Sequence, residues 1–399
     1  MSSSKESAWL RGGRLYRAVY RAVRLFIKPY VRKKYGFSTD LVPKMSEPYL
    51  MVSNHTTEED MFFCGLASRQ PMCFVCGEHL LRKGYGRLLR TLADPIPVPK
   101  GGTAVRASIE IMKRLRAGVN VCMFPEGKRS FHGVTIPSSE ALGTLVKKAG
   151  CALVTYRIRG GYFTYPRWAR GHHRKGRVDG GVAGVYSSGQ LAGMSAAEIT
   201  ELINRDTFED AVETQRTEMR TYTGTDRAKG MELLLFICPS CGAWDSLETS
   251  GDSFVCSACG RGGVYNDYGF LEGDGAVYDN VRDWMKFTEA EFDRRVASLP
   301  GDGLVAKEEN VLLYRMLDGY ENEDVCRGEA TVFRDRIEAG GFIFPFREIT
   351  ALSILYGNIL FFTHKKVYWG ITGDGFKAWK CGRLWHLEKG DTNDRTREM

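Results

Sequence analysis

Three short stretches of this 399-residue chain, and a fourth related to the second, carry side chains that could do chemistry. The first is Asn54-His55-Thr56-Thr57-Glu58-Glu59-Asp60, in which an aspartate follows a histidine at the fifth position. Imidazole is a general base near neutral pH, and a carboxylate within reach fixes its tautomer and orientation. The second is Phe124-Pro125-Glu126-Gly127-Lys128-Arg129-Ser130, a turn with an acid and two adjacent cations. Cations beside exposed backbone N–H groups suit a phosphate monoester. A related stretch, Asp94 to Lys100, places Lys100 at a strand end. The third is Cys238-Pro239-Ser240-Cys241-Gly242 with Cys256-Ser257-Ala258-Cys259-Gly260, fourteen residues separating Cys241 from Cys256. Two such turns joined by a strand-turn-strand stretch present four thiolates for tetrahedral Zn²⁺.

The elements that position these groups are legible as a pattern. Tyr49–Ser53 is a short apolar strand running directly into His55, and Val119–Phe124 is a buried-type strand running into Pro125. Thr103 caps a helix with Val105, Ile109, Met112 and Leu115 on one face, closed by Gly118. Ala152–Ile158 is another buried strand. Ser195 and Glu198 form a capping box that opens a helix extending to about Glu218. Strands alternating with helices over 36–226 indicate an α/β layer architecture. The pattern changes near residue 227. A Cys-rich stretch is followed by a helix at 280–298, by short strands between 329 and 371, and by a Trp-rich helical end at 376–388. The expected organisation is a basic amphipathic segment at 1–35, an α/β domain at 36–226, a metal-binding stretch at 227–263 and a small, mostly-β module at 264–399.

Charge and composition exclude several classes. Hydrophobic residues make up 43 % and charged residues 26 %, ordinary globular usage that argues against disorder. No apolar run approaches the roughly 18 residues of a membrane span. The N-terminus has no apolar core followed by a small-residue cleavage site, so a secretory signal is not expected. The net charge of +8 is localised: residues 1–35 hold ten Lys/Arg and one acid, Glu6. The remaining chain is near neutral, so a nucleic-acid footprint over a folded domain is not expected. Arg14, Arg17, Arg21, Arg24, Lys28 and Arg32 fall on one narrow arc of a helix at about 100° per residue. Aromatic and aliphatic residues cover most of the rest, and Pro29 is expected to kink or split the helix. Such a helix suits a membrane interface with anionic lipids. Of the eleven cysteines, those outside the paired turns lie mostly in apolar runs, as buried thiols do.

At His55, Asp60 and Phe124–Ser130 the sequence resembles the glycerolipid acyltransferase superfamily, which includes the lysophosphatidic acid acyltransferases. His55 and Asp60 match its N-H-x-x-x-x-D block, and Phe124–Ser130 match its F-P-E-G-T-R-S block with Lys128 in place of threonine. Lys100 stands in the place of a basic residue of a further block, and Val154-Thr155-Tyr156 falls where the family has a proline-containing strand. By this resemblance, His55 deprotonates an acceptor hydroxyl for attack on an acyl thioester, and Asp60 orients it. Arg129 and Lys100 hold the acceptor phosphate, Glu126 positions the glycerol, and Gly127 lets the backbone approach closely. The thiol leaves from coenzyme A or acyl carrier protein, with no catalytic metal and no covalent acyl-enzyme.

The paired cysteine turns resemble a zinc ribbon. Residues 231–263 hold one base, Arg261, against four acids, which opposes contact with a phosphate backbone and favours a structural or protein-docking role. The C-terminal strands and last helix resemble a pleckstrin-homology or GRAM-type module, with the Thr363-His364-Lys365 turn able to meet lipid head groups. The expected activity is a peripheral O-acyltransferase on the cytoplasmic face of a membrane. It would convert 1-acylglycerol 3-phosphate to phosphatidic acid in phospholipid synthesis. The alternatives are an enzyme for another lysophospholipid or for glycerol 3-phosphate, and an inactive, lipid-binding zinc-ribbon adaptor.

Overall fold

The computed structural model describes residues 13–82, 84–98, 105–169, 171–317 and 321–390. The chain divides into two compact units. The first comprises the residues up to Arg129, Val134–Thr164 and Gly176–Thr214; the second comprises Ser130–Gly133, Tyr165–Lys175 and the chain from Gln215 onward.

The first unit contains, in chain order, α1 (Arg14–Tyr35), β1 (Ser38–Thr39), β2 (Tyr49–Ser53), α2 (Asp60–Ala67), β3 (Met72–Gly77), α3 (Gly86–Ala93), β4 (Ile96–Val98), α4 (Val105–Arg116), β5 (Asn120–Met123), α5 (Glu140–Ala149), β6 (Ala152–Arg159), α6 (Gly161–Thr164), β7 (Asp179–Tyr186), α7 (Ser188–Ala192) and α8 (Ala196–Thr207). The helix α9 (Ala211–Glu218) follows. The sheet runs β1-β7-β6-β2-β5-β3-β4. Strands β2 to β6 are mutually parallel, while β7 is antiparallel to β6. Strand β2 sits at the centre and is buried along its whole length, so it is apolar throughout rather than alternating. Leu50 and Val52 pack into one core with Ile111, Leu115, Leu145, Val146, Ile199 and Ile203 from α4, α5 and α8. Tyr49 and Met51 pack into the other with Val31 and Tyr35 of α1 and Phe63, Cys64 and Ala67 of α2. The two-residue period of the strand thus divides its side chains between two helical layers.

Several expectations shift in detail. The buried face of α4 is Ala107, Ile111, Arg114 and Leu115, whereas Val105 and Ile109 are exposed. The expected cap, Thr103, lies outside the described residues. The capping box at Ser195 and Glu198 is formed, but its helix ends at Thr207. The break arises because the backbone around Glu209 turns away to pair with Thr135, and Asp210 then accepts from the N–H groups of Val212 and Glu213 to start α9. Helix α1 continues through Pro29, which sits on an exposed face. Residues 1–12 of the expected basic segment at 1–35 lie outside the described residues.

The apolar surface of α1 is divided in two. Tyr16, Val31 and Tyr35 are buried, and Tyr16 and Tyr20 donate from their hydroxyls to the carbonyls of Thr91 and Gly65. Leu15, Val23, Phe26 and Tyr30 remain exposed. One cation of the expected stripe is used internally: Arg24 donates to the carbonyls of Gly65 (3.0 Å) and Leu66 (2.7 Å) at the end of α2. Those carbonyls have no partner within their own helix, and a cation there also complements the helix dipole.

The second unit contains β8 (Leu247–Ser250), β9 (Ser253–Cys256), β10 (Gly262–Tyr265), β11 (Leu271–Glu272), α10 (Val281–Ala297), β12 (Leu304–Met316), β13 (Asn322–Phe333), β14 (Arg336–Ala339), β15 (Phe342–Pro345), β16 (Ile349–Leu355), β17 (Ile359–His364), β18 (Val367–Thr372) and α11 (Ala378–Lys389). Strands β8 to β11 form a four-stranded sheet, and β12 to β18 form a seven-stranded antiparallel sheet in the order β15-β14-β13-β12-β18-β17-β16. The long strand β12 went unread in the sequence, because Glu308, Glu309 and Asn310 interrupt its apolar pattern at a register irregularity. A single hydrophobic core joins Phe236, Leu247 and Phe254 of the Cys-rich stretch, Trp284 and Phe292 of α10, Leu313 and Ile371 of the large sheet, and Trp379 of α11. The Lys380 ammonium, buried on α11, meets Asp245 at 2.7 and 2.8 Å, tying the Cys-rich stretch to the last helix. Burial holds the Lys380 pKa below that of an ordinary lysine despite this carboxylate. At the 363–365 turn, His364 and Lys365 face Glu348 at 3.0 and 3.5 Å.

Candidate active site and four-cysteine centre

Two adjacent parallel strands, β2 and β5, point their carboxyl ends the same way. His55 follows the first and Glu126 the second, so residues 71 apart in sequence meet at one edge of the sheet. The crevice outside the carboxyl ends of parallel strands is where α/β sheets place their ligands.

The His55 ring is held on two sides. Its Nδ1 lies 2.9 Å from Asp60 Oδ2, and its face stacks on Phe124 at 4.7 Å between ring centroids. Asp60 is the first residue of α2 and is fully buried. It also accepts from the backbone N–H and hydroxyl of Thr56 (2.5 and 3.0 Å) and of Thr57 (2.9 and 2.8 Å). Five donors converge on this one carboxylate. An ionised Asp60 can only accept, so it holds the proton on Nδ1 and leaves Nε2 as the basic nitrogen.

Both carboxylate oxygens of Glu126, the residue expected to position glycerol, accept from backbone N–H groups. Its Oε1 accepts from the backbone N–H of His55 at 2.6 Å and its Oε2 from the N–H of Ile136 at 2.9 Å. The carboxylate thus bridges the His55 loop to the segment after β5. Gly127 has φ +68°, a left-handed conformation that favours glycine, and a Cβ there would meet nothing within 4 Å. Backbone conformation, rather than crowding by the protein, explains the glycine. Arg129 is 6 % exposed, and its guanidinium lies 3.4 Å from Glu58 Oε1 in the His55 loop. Lys100 lies outside the described residues. Val154, Thr155 and Tyr156 are buried within β6, where Thr155 donates to Asp206 at 2.8 Å.

The four cysteines come together in the second unit. The Sγ atoms of Cys238, Cys241, Cys256 and Cys259 all lie within 4.8 Å of one another. Cys238 and Cys259 are 3.9 Å apart, and Cys241 and Cys256 are 3.7 Å apart. Tetrahedral zinc with Zn–S bonds of about 2.3 Å needs an edge of about 3.8 Å, so the residues fit the ion. The two halves match. Gly242 (φ +75°) donates its N–H to Cys238 O, and Gly260 (φ +74°) donates to Cys256 O, closing equivalent turns. Burial opposes ionisation of Cys256, but the Ser246 hydroxyl and the N–H groups of Cys259 and Ala258 outweigh it and draw the thiol down to about 6. Zinc held by four thiolates has no open position and supplies folding energy rather than catalysis.

Residues 32–159 match the sequence model of the family described as Acyltransferase. His55, Asp60, Glu126, Gly127 and Arg129 all lie within the matched stretch. Among solved structures, the 1-acyl-sn-glycerophosphate (LPA) acyltransferase PlsC from Thermotoga maritima is similar over 50 % of this chain and 88 % of that one, at 19 % identity and a TM-score of 0.37. No curated protein matches the chain.

The matched stretch also uses residues whose roles went unread in the sequence. Asn54 donates from its amide to the carbonyl of Ile158 at 2.8 Å and accepts from the N–H of Ile158 at 2.7 Å. It thereby continues the pairing of β2 with β6 past the end of the strand and fixes where the His55 loop begins. Lys34 meets Glu59 at 2.9 Å, tying α1 to the same loop. The adjacency of Asn54 to His55 was the available signal for the first; the second has no local signal.

Proposed function

We propose that the protein transfers a fatty acyl group from an acyl thioester, of coenzyme A or acyl carrier protein, to the free hydroxyl of 1-acylglycerol 3-phosphate, giving phosphatidic acid. The observation that carries this reading is the Nδ1–Asp60 contact, which leaves Nε2 of His55 basic at a sheet edge within the matched stretch. Nε2 takes the proton of the acceptor hydroxyl as its oxygen attacks the thioester carbonyl. The tetrahedral intermediate collapses with loss of thiolate, and the imidazolium returns the proton to the leaving sulfur. One ester bond forms, one thioester bond breaks, and no acyl-enzyme is required. Arg129 binds the acceptor phosphate, which exchanges with Glu58 as partner of the guanidinium.

The acceptor resides in a bilayer, so the domain works on a membrane surface, at its cytoplasmic face. Among the described residues no helix is long and apolar enough to cross a membrane. The exposed Leu15, Val23, Phe26 and Tyr30 form the inserting face of α1. The four-cysteine centre holds structural zinc. Thioester turnover with 1-acylglycerol 3-phosphate, other lysophospholipids and glycerol 3-phosphate tests the reading. Turnover with the first acceptor supports it; thioester turnover with another acceptor alone reassigns the substrate; none with any acceptor favours an inactive lipid-binding adaptor.

A further inference from the structure

The turn that carries His55 is hydrogen-bonded within itself. Asp60 meets Nδ1 of His55 at 2.9 Å through one oxygen and accepts from the Thr57 hydroxyl at 2.8 Å through the other. The Thr57 hydroxyl oxygen in turn accepts from the backbone N–H of Glu59 at 3.1 Å. The place of Glu59 is thereby passed through Thr57 to the carboxylate that orients the base. Glu59 leads into α2 and is half-buried. Its Oε1 lies 2.9 Å from Nζ of Lys34, in the last turn of α1. Lys34 is held from its own helix as well. Its Nζ donates to the hydroxyl of Tyr30 at 3.1 Å and lies 5.0 Å from the centre of the Tyr35 ring. Tyr35 is fully buried and packs edge-on against Phe63 of α2 at 5.2 Å between ring centroids. Burial, and then the Glu59 carboxylate, push the Tyr35 pKa well above that of an ordinary tyrosine, so this hydroxyl stays protonated. All of these residues belong to the first unit.

We propose that Lys34 is a positioning residue for acyl transfer: from the end of α1 it fixes Glu59, and through Glu59 the Asp60 carboxylate and the His55 ring. The inference rests on the role given to His55 under the proposed function. A base carried on a short loop keeps its geometry only where surrounding side chains lock that loop. At its start the turn is fixed by Asn54, paired with Ile158 of β6, and by Glu126, which accepts from the His55 N–H. At its other end the Glu59 carboxylate faces α1, and Lys34 is its charged partner. Removing the ammonium leaves a half-buried carboxylate that relaxes toward water and takes the Glu59 backbone with it. A shift of roughly 1 Å in the base costs on the order of 10²-fold in rate. The same ammonium meets Tyr30, one of the exposed residues of the inserting face. The helix that meets the lipid therefore also sets the base.

The test combines steady-state kinetics with nuclear magnetic resonance on the full-length protein. Lys34→Met keeps an unbranched stem beside Tyr35 and removes the charge, while Lys34→Arg keeps the charge. Glu59→Gln is isosteric and stands in should Lys34→Met fail to fold, which circular dichroism reports. Rates are measured on vesicles carrying 1-acylglycerol 3-phosphate and expressed per sedimented enzyme, so that an effect of the lost cation on lipid binding does not enter. The expected result for Lys34→Met is a kcat lower by about tenfold or more, with both KM values nearly unchanged. Lys34→Arg recovers most of that loss, and Lys34→Met/Glu59→Gln loses no more than the single variants, because the two groups act as a pair. The Nδ1–H proton resonance that His55→Ala deletes should shift in Lys34→Met and Glu59→Gln and keep its place in Lys34→Arg. An unchanged kcat in a folded Lys34→Met protein overturns the inference, as does a loss confined to KM. Absence of turnover by the unaltered protein overturns the proposed function instead, and an unmoved resonance then overturns the inference as well.

Discussion

The backbone N–H of His55 donates to Oε1 of Glu126 at 2.6 Å, joining the two halves of the site across neighbouring strands. Glu126 therefore helps to set the backbone that carries the base. Replacing it with glutamine turns an N–H₂ group toward either His55 or Ile136, where only an acceptor fits. We expect Glu126→Gln to lower kcat by about 10²-fold with little change in acceptor KM, since a misplacement of roughly 1 Å costs that much. A glycerol-binding role predicts the reverse split, so initial rates over a range of acceptor concentrations separate the two.

His55→Ala should lower turnover by at least ~10²-fold, the scale of a lost general base, while leaving the melting temperature nearly unchanged. Asp60→Ala should do both harms. It leaves the donors of half-buried Thr56 and buried Thr57 without their acceptor, at a cost on the order of 1–3 kcal/mol each where water cannot replace it. Thermal unfolding and rates measured on both variants check this contrast. A His55→Ala protein of full activity would exclude the mechanism.

The protein should purify with one Zn²⁺ per chain, lost in the Cys238→Ser/Cys256→Ser double variant. Because the Cys-rich stretch and the large sheet share a core, chelation should raise hydrogen exchange in β12–β18 as well as around the cysteines. Exchange confined to 238–260 would show that the shared core does not transmit the loss. Acid should release the metal, since protons compete with it for the thiolates.

Two neighbouring residues of α1 should behave oppositely. Phe26 is 79 % exposed, whereas Ile27 packs against the core of α1 and α2. Phe26→Asp should weaken co-sedimentation with anionic vesicles and keep the fold. Ile27→Asp should lower the melting temperature first, because it places a charge among apolar side chains. Added salt should weaken vesicle binding without abolishing it, since screening reaches the cations but not the buried apolar area. Full sedimentation of Phe26→Asp would remove α1 as the inserting element.

The features legible in the sequence are those whose geometry is local. His55 and Asp60 are five residues apart across the start of one helix, so a short loop brings imidazole and carboxylate together whatever surrounds them. The cysteine turns are equally local: each C-x-x-C-G closes on its own glycine N–H, and only the meeting of the two halves needs folding. The partners that lie far apart in sequence were hidden. Glu126 reaches the N–H of His55 because β5 lies beside β2, an order that no spacing announces. The apolar surface of α1 read as one continuous face because helical periodicity records hydrophobicity and not the neighbour that covers it. The α2 and α3 contacts took Tyr16, Tyr20, Val31 and Tyr35 and left Phe26 outside. Phe131 and His132, read along the chain, simply trail the Arg129 motif. Burial of Phe131 against Arg167, and the approach of His132 to Glu289 157 positions later, assign them to the other unit. Sequence spacing sets which groups can share a turn, while sheet order and core packing decide which distant groups meet, because those depend on contacts between segments.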